Sequence, residues 1–158
     1  MKPDKWREWL EVVGIFSVVA SLVFVGLQMQ QAHEISLSQA YQARTAAAAE
    51  FNNAFASNPL ALSGLRKATE GAEEKITAEE YDSLYRMMIG VMYLYDNAHY
   101  QYQAGFVTEE FWTTTRKSLA ALMSRPVVNA MIVDRLDYQG RPEFREVVRS
   151  INEELRTR

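Results

Sequence analysis

The chain has no cysteine, which removes disulfides, thiolate metal sites and cysteine nucleophiles from consideration. Proline and glycine are scarce, at four and seven in 158 residues, so little punctuates a helix. Only two histidines are present, His33 and His99, too few for most imidazole-based metal sites. Positive charge is not in excess: the net charge is −3, so the chain lacks the overall basic footprint of a nucleic-acid binder. No P-loop, G-x-G-x-x-G, G-x-S-x-G or H-E-x-x-H pattern occurs, and no arginine lies four to six residues before either histidine, as a helical nuclease signature would require. No catalytic or cofactor-binding residues are expected.

One long and almost wholly apolar stretch lacks charge altogether. Val12–Leu27, VVGIFSVVASLVFVGL, comes just after a basic, tryptophan-bearing start at Lys2, Lys5, Trp6, Arg7 and Trp9. It is too long for an ordinary signal-peptide core, and the chain continues uncharged through Gln28, Met29, Gln30 and Gln31 without an A-x-A cleavage pattern or a breaker. Sixteen residues rise only about 24 Å against about 30 Å of hydrocarbon, which leaves a buried core helix as the alternative. Apolar character around the whole circumference and interfacial tryptophans favour a membrane span over residues 12–29. Lys2, Lys5 and Arg7 precede the span and Arg44 is the first basic residue after it, a distribution that favours a cytoplasmic amino terminus.

No stop signal separates this run from the residues after Leu27. From about Asp4 to Ala56 the pattern predicts one helix of about 50 residues, about 75–80 Å long, with Leu37, Tyr41, Ala48, Phe51 and Phe55 on an apolar face. Ser57-Asn58-Pro59 ends it. Further helices are predicted from Pro59 to about Ala68, from the capping box Thr77-Ala-Glu-Glu80 to near Gly105, from Thr108, from Pro126 to about Leu136, and from Pro142. Tyr81, Leu84, Tyr85, Met88, Val91, Met92, Tyr95 and Tyr102 form a core stripe on one helix, and Phe111, Trp112, Thr115, Leu119 and Leu122 on the next. The fold class is therefore all-α: residues 1–31 are flank and span, and residues 32–158 a stalk and a bundle of four or five helices.

Two constellations stand out. Steps of three and four along the long helix collect Gly14, Ser17, Ser21, Phe24, Gln28, Gln31, Ile35, Ser38, Gln42, Thr45 and Ala49 on one side. Small and polar groups there suit ordinary packing with serines bonded to backbone carbonyls, self-association of several copies, or, at the extreme, a polar pore. The second is a polar group on the middle helix: Arg86, Asp96, Asn97, His99 and Gln103. Asp96-x-x-His99 is half of a carboxylate-bridged di-metal motif, but no second copy exists, so a buried hydrogen-bonded network is expected and no metal. The arginines at 141, 145, 149, 156 and 158 read as a solvated helix face, with lipid headgroups or an acidic partner as the alternative.

The apolar span followed by Gly26-Leu27-Gln28-Met29-Gln30-Gln31, the segment Asp96-Asn97-Ala98-His99-Tyr100-Gln101, and Gly105, Trp112 and Pro142-Glu143-Phe144-Arg145 resemble a large group of uncharacterised bacterial proteins of similar length. That group typically ends its span in a Tyr-Leu-x-x-Gln-Ile-Arg-Gln-like phrase and carries Glu-Asn-x-x-Tyr-Gln later. The resemblance implies a small, single-span, helical protein of the bacterial inner membrane with no established activity. The group's arginine after the span would favour a cytoplasmic domain. Here Met29-Gln30-Gln31 replaces it, so sidedness stays open. The function expected is non-enzymatic: a helical protein anchored in the lipid bilayer by its span and working as a homo-oligomer or an accessory subunit of a membrane complex, with a pore-forming or membrane-perturbing effector as the alternative.

Overall fold

The computed structural model describes residues 3–157, with side chains from Trp6 onward; Lys2 and Arg158, and the side chain of Lys5, lie outside the described residues. The architecture is all-α. Six α-helices succeed one another: α1 (Pro3–Ala56), α2 (Pro59–Thr69), α3 (Ala78–Gln103), α4 (Glu109–Met123), α5 (Pro126–Arg135) and α6 (Pro142–Arg156), with one 3-10 turn at Glu73–Lys75. No strand occurs among the described residues. The chain divides into two compact units, residues 1–42 and residues 43–158, so α1 contributes to both.

The helix boundaries arise from capping chemistry. Asn58 accepts from the Ala61 amide at 3.0 Å to open α2, with Pro59 in the first turn, and also accepts from the Ser83 hydroxyl at 2.9 Å. One side chain thus starts α2 and ties it to α3. Gly71, at φ +70°, closes α2 with the Ala72 amide donating to the Lys67 carbonyl at 2.9 Å. Gly105, at φ +77°, closes α3 in the same way, through the Phe106 amide and the Gln101 carbonyl at 2.8 Å. The Thr77–Glu80 capping box is formed in both directions.

The core of the second unit is built on α3, whose Leu84, Met88 and Met92 are buried against Leu119 and Met123 of α4, Met131 and Ile132 of α5, and Phe144, Val148 and Ile151 of α6. Phe51 and Phe55, from the last turns of α1, pack on this cluster. Gly90 makes room for Phe51: a Cβ there would sit 2.9 Å from its ring. The predicted stripes need three corrections. Tyr81 is 43% exposed, Phe111 38% and Tyr41 61%, because the buried arc of each helix is narrower than its run of large side chains.

Candidate functional site

Three features carry chemistry or surface. The first is α1 itself. Every described side chain from Trp6 to Ser36 is exposed, including eleven large apolar ones between Val12 and Leu27. It is the one helix among the described residues long and apolar enough to cross a membrane. Of the predicted stripe, Gly14, Ser17, Ser21, Gln28, Gln31, Ser38 and Gln42 are all exposed. Ser17 donates to the Val13 carbonyl at 2.7 Å, which satisfies the hydroxyl within the helix. In the second unit the same stripe continues through exposed Thr45 and Ala49, whereas Arg44, Ala47, Ala48, Phe51 and Phe55 are half-buried. The last turns of α1 therefore commit one side to the bundle core and leave the stripe side outward.

The second feature is a polar joint between α3 and α6. Asp96, His99 and Gln103 share one side of α3, at steps of three and four. They converge on Arg141, the residue that opens α6. The Arg141 amide donates to Asp96 Oδ2 at 3.2 Å and its Nε to Oδ1 at 2.9 Å. Nη1 donates to Gln103 Oε1 at 2.9 Å, and Nη2 lies 3.4 Å from His99 Nδ1. The guanidinium also sits over the Tyr100 ring, 5.0 Å from its centroid. Asp96 thus places a carboxylate at the positive end of the α6 dipole and satisfies the first amide there. His99 is buried, with its ring 4.8 Å from Trp112 and 6.0 Å from Phe144. Burial and the neighbouring Arg141 cation hold its pKa below the ordinary histidine value, against the opposing pull of Asp96 and Glu143. The Nδ1 contact with a guanidinium donor favours the tautomer protonated on Nε2.

Arg86 and Asn97 do not belong to this joint. Arg86 has a side chain 73% exposed and pairs with Asp82, one turn away, at 2.9 Å. At roughly 100° per residue it lies well round the helix from His99, so helical geometry itself separates them. Asn97 is exposed for the same reason, one step off the shared side of α3. Gln103 is exposed as well, although bonded to Arg141. The network is an interhelical joint at the edge of the core. Arg141, its hub, was assigned from sequence to a solvated face; the signal for it was its place between Gly140 and Pro142, at a helix start.

Sequence reasoning also missed a second carboxylate centre and a groove. Glu80, 6% exposed, accepts from Lys67 Nζ at 2.6 Å, from the Ser63 hydroxyl at 2.6 Å and from the Thr77 amide at 2.8 Å. Those donors, led by Lys67, hold its pKa at about 2. The groove, about 280 Å³, is lined by Ala48 and Phe51 of α1, Val91 and Ala98 of α3, and Phe111 and Leu122 of α4. At its rim Arg44 donates to Gln101 at 2.6 Å and lies 4.6 Å from the centre of the Phe111 ring.

Chemically, these arrangements hold helices together. His99 faces the Arg141 guanidinium and the Trp112 and Phe144 rings. Among the described residues from Trp6 to Thr157, no cluster of three or more His, Asp or Glu side chains is placed to hold a metal ion. In comparisons with known proteins, no family model, curated protein or solved structure matches the chain.

Proposed function

We propose that this chain is a single-pass membrane protein that works by assembly, as a homo-oligomer or as an accessory subunit of a membrane complex, and not as an enzyme. The observation that carries the reading is the bare surface of α1. Between Val12 and Leu27, eleven large apolar side chains are 44–69% exposed, and no residue in the most apolar 18-residue window is buried. Keeping that surface in water would cost on the order of 10–20 kcal/mol. A whole domain has a net stability of about 5–15 kcal/mol, so a bilayer or another protein surface must cover the helix. Trp6 and Trp9, both exposed, suit the interface at one end, and Gln28, Gln30 and Gln31 suit it at the other. Placement in a bacterial inner membrane rests on the resemblance of the Gly26–Gln31 and Asp96–Gln101 segments to small single-span bacterial proteins.

The exposed stripe favours assembly over simple anchoring. Gln28 and Gln31 are poor lipid-facing residues, and the small Gly14, Ser17 and Ser21 let helices approach closely. The same stripe supports a second reading, an oligomer with a polar axis that leaks ions. Extraction in a mild detergent tests both readings. A carbonate wash should leave the protein in the membrane fraction, and sizing should then give a defined oligomer or a co-purifying partner. Release by carbonate would contradict the span, and a partner-free monomer the assembly. Dye or ion leakage on overexpression would move the weight to the second reading.

A further inference from the structure

We propose that His99 is an acid-sensitive latch, which holds the start of α6 to α3 while its imidazole is neutral and loosens it when Nδ1 takes a proton. Beside the packing of Phe144 on the core, the polar part of that tie runs through one residue. Arg141 opens α6, and its side chain is held by Asp96, Gln103 and His99, all on α3. In the neutral ring Nδ1 is a lone-pair acceptor 3.4 Å from Arg141 Nη2. Protonation converts that acceptor into a donor and sets two cations side by side.

The imidazole has little room to turn away. Trp112 of α4 and Phe144 of α6 lie against its ring, at 4.8 Å and 6.0 Å between centroids. Gly140, immediately before the hub, has φ +86°, and a Cβ there would come within 3.3 Å of Phe144, so the backbone at this corner is close-packed too. The relief open to the joint is displacement of the Arg141 guanidinium, which takes from the start of α6 its side-chain ties to Asp96, Gln103 and His99.

The charges that face the ring decide the balance. From α3 it meets the Asp96 carboxylate, which favours the imidazolium but is already engaged twice by Arg141. From α6 it meets Arg141, which opposes protonation, and Glu143, which favours it; from α4 it meets the uncharged Trp112. Burial adds to Arg141, and together they outweigh the two acids, so the proton is resisted. A histidine whose pKa is lowered on folding contributes its stabilisation fully above the free-histidine value and loses it as pH falls below that value. The window is the upper acid range, where no other side chain ordinarily changes charge.

Two measurements on the full chain in detergent micelles test the latch. Hydrogen exchange of the α6 amides, corrected for intrinsic pH dependence, should lose protection as pH falls from about 7.5 to about 5.5, by up to tenfold per pH unit below the free-histidine value. His99→Gln, which keeps an acceptor but cannot titrate, should hold its protection across the same range. An equal loss in wild type and His99→Gln would overturn the proposal. The second measurement is the NMR titration of the His99 ring, identified by its survival in His33→Gln. Its midpoint should lie below that of a free histidine and rise in Arg141→Gln. A midpoint at or above the free value, or one indifferent to Arg141→Gln, would overturn the latch even if His99→Gln failed to fold.

Discussion

The two units of this chain treat apolar side chains in opposite ways. In residues 43–158 the apolar core faces inward: Phe144, Leu119 and Ile151 have no exposed surface, and every helix from α2 to α6 contributes buried side chains, while Leu60, Leu62 and several tyrosines stay exposed. In the first unit, Phe16 is 69% exposed and Leu22 67%, and none of the described residues covers them. The bundle is stabilised by its own burial and the apolar part of α1 by whatever solvates it. On the proposed membrane reading, substitutions should therefore separate the units by assay: those in the bundle should change melting, and those in the apolar part of α1 membrane residence.

The largest effect should come from charging the span. Val19→Arg with Val23→Arg should cost roughly 3–4 kcal/mol of insertion free energy per site, and membrane fractionation should show most of the protein lost from the bilayer. Phe144→Ala, with no exposed surface at the position, should destabilise the bundle by about 3–5 kcal/mol in denaturant titration. Phe16→Ala should leave that transition where it was, and a comparable shift from both would break the division between the units. Gly90→Ala, which drives a Cβ into the Phe51 ring, should cost about 1–3 kcal/mol.

Acid sensitivity should divide along the same line. Glu80 is held at about 2, below its usual 4.5. Its contribution is present above 4.5 and is lost as pH falls toward 2. Thermal melts across that range should show wild type losing a component that Glu80→Gln lacks, the variant being less stable at neutral pH. The smallest effects belong to residues outside the joint. Arg86→Ala and Asn97→Leu should each leave the melting midpoint close to that of wild type, as exposed positions do.

The helices were legible because local chemistry marks their ends. Pro59, Pro126 and Pro142 open helices, Gly71 and Gly105 close them, and Thr77 with Glu80 forms its box from adjacent sequence. The polar joint was half legible for the same reason. Asp96, His99 and Gln103 are related by helical spacing, while Arg141 reaches Asp96 from 45 residues away and no periodicity announces it. Arg86 was drawn into the network by proximity along the chain, although its angle round the helix and its nearer partner Asp82 both take it elsewhere. Lys67 and Ser63 meet Glu80 only because α2 packs on α3, a relation their spacing does not contain.

Val12–Leu27 was legible from composition alone; that its small and polar side meets a second copy is the homo-oligomeric form of the proposal and its most direct claim. The absence of native cysteine makes its measurement clean. Single substitutions Ser17→Cys and Ser21→Cys on the stripe, and Val19→Cys and Val23→Cys on the far side, should be oxidised in native membranes. A disulfide forms only when the two Cα atoms approach within about 7 Å. A homo-oligomer packed on the stripe predicts efficient dimer bands for the serine positions and none for the valines. Uniformly monomeric protein, or crosslinking indifferent to the side chosen, would contradict it.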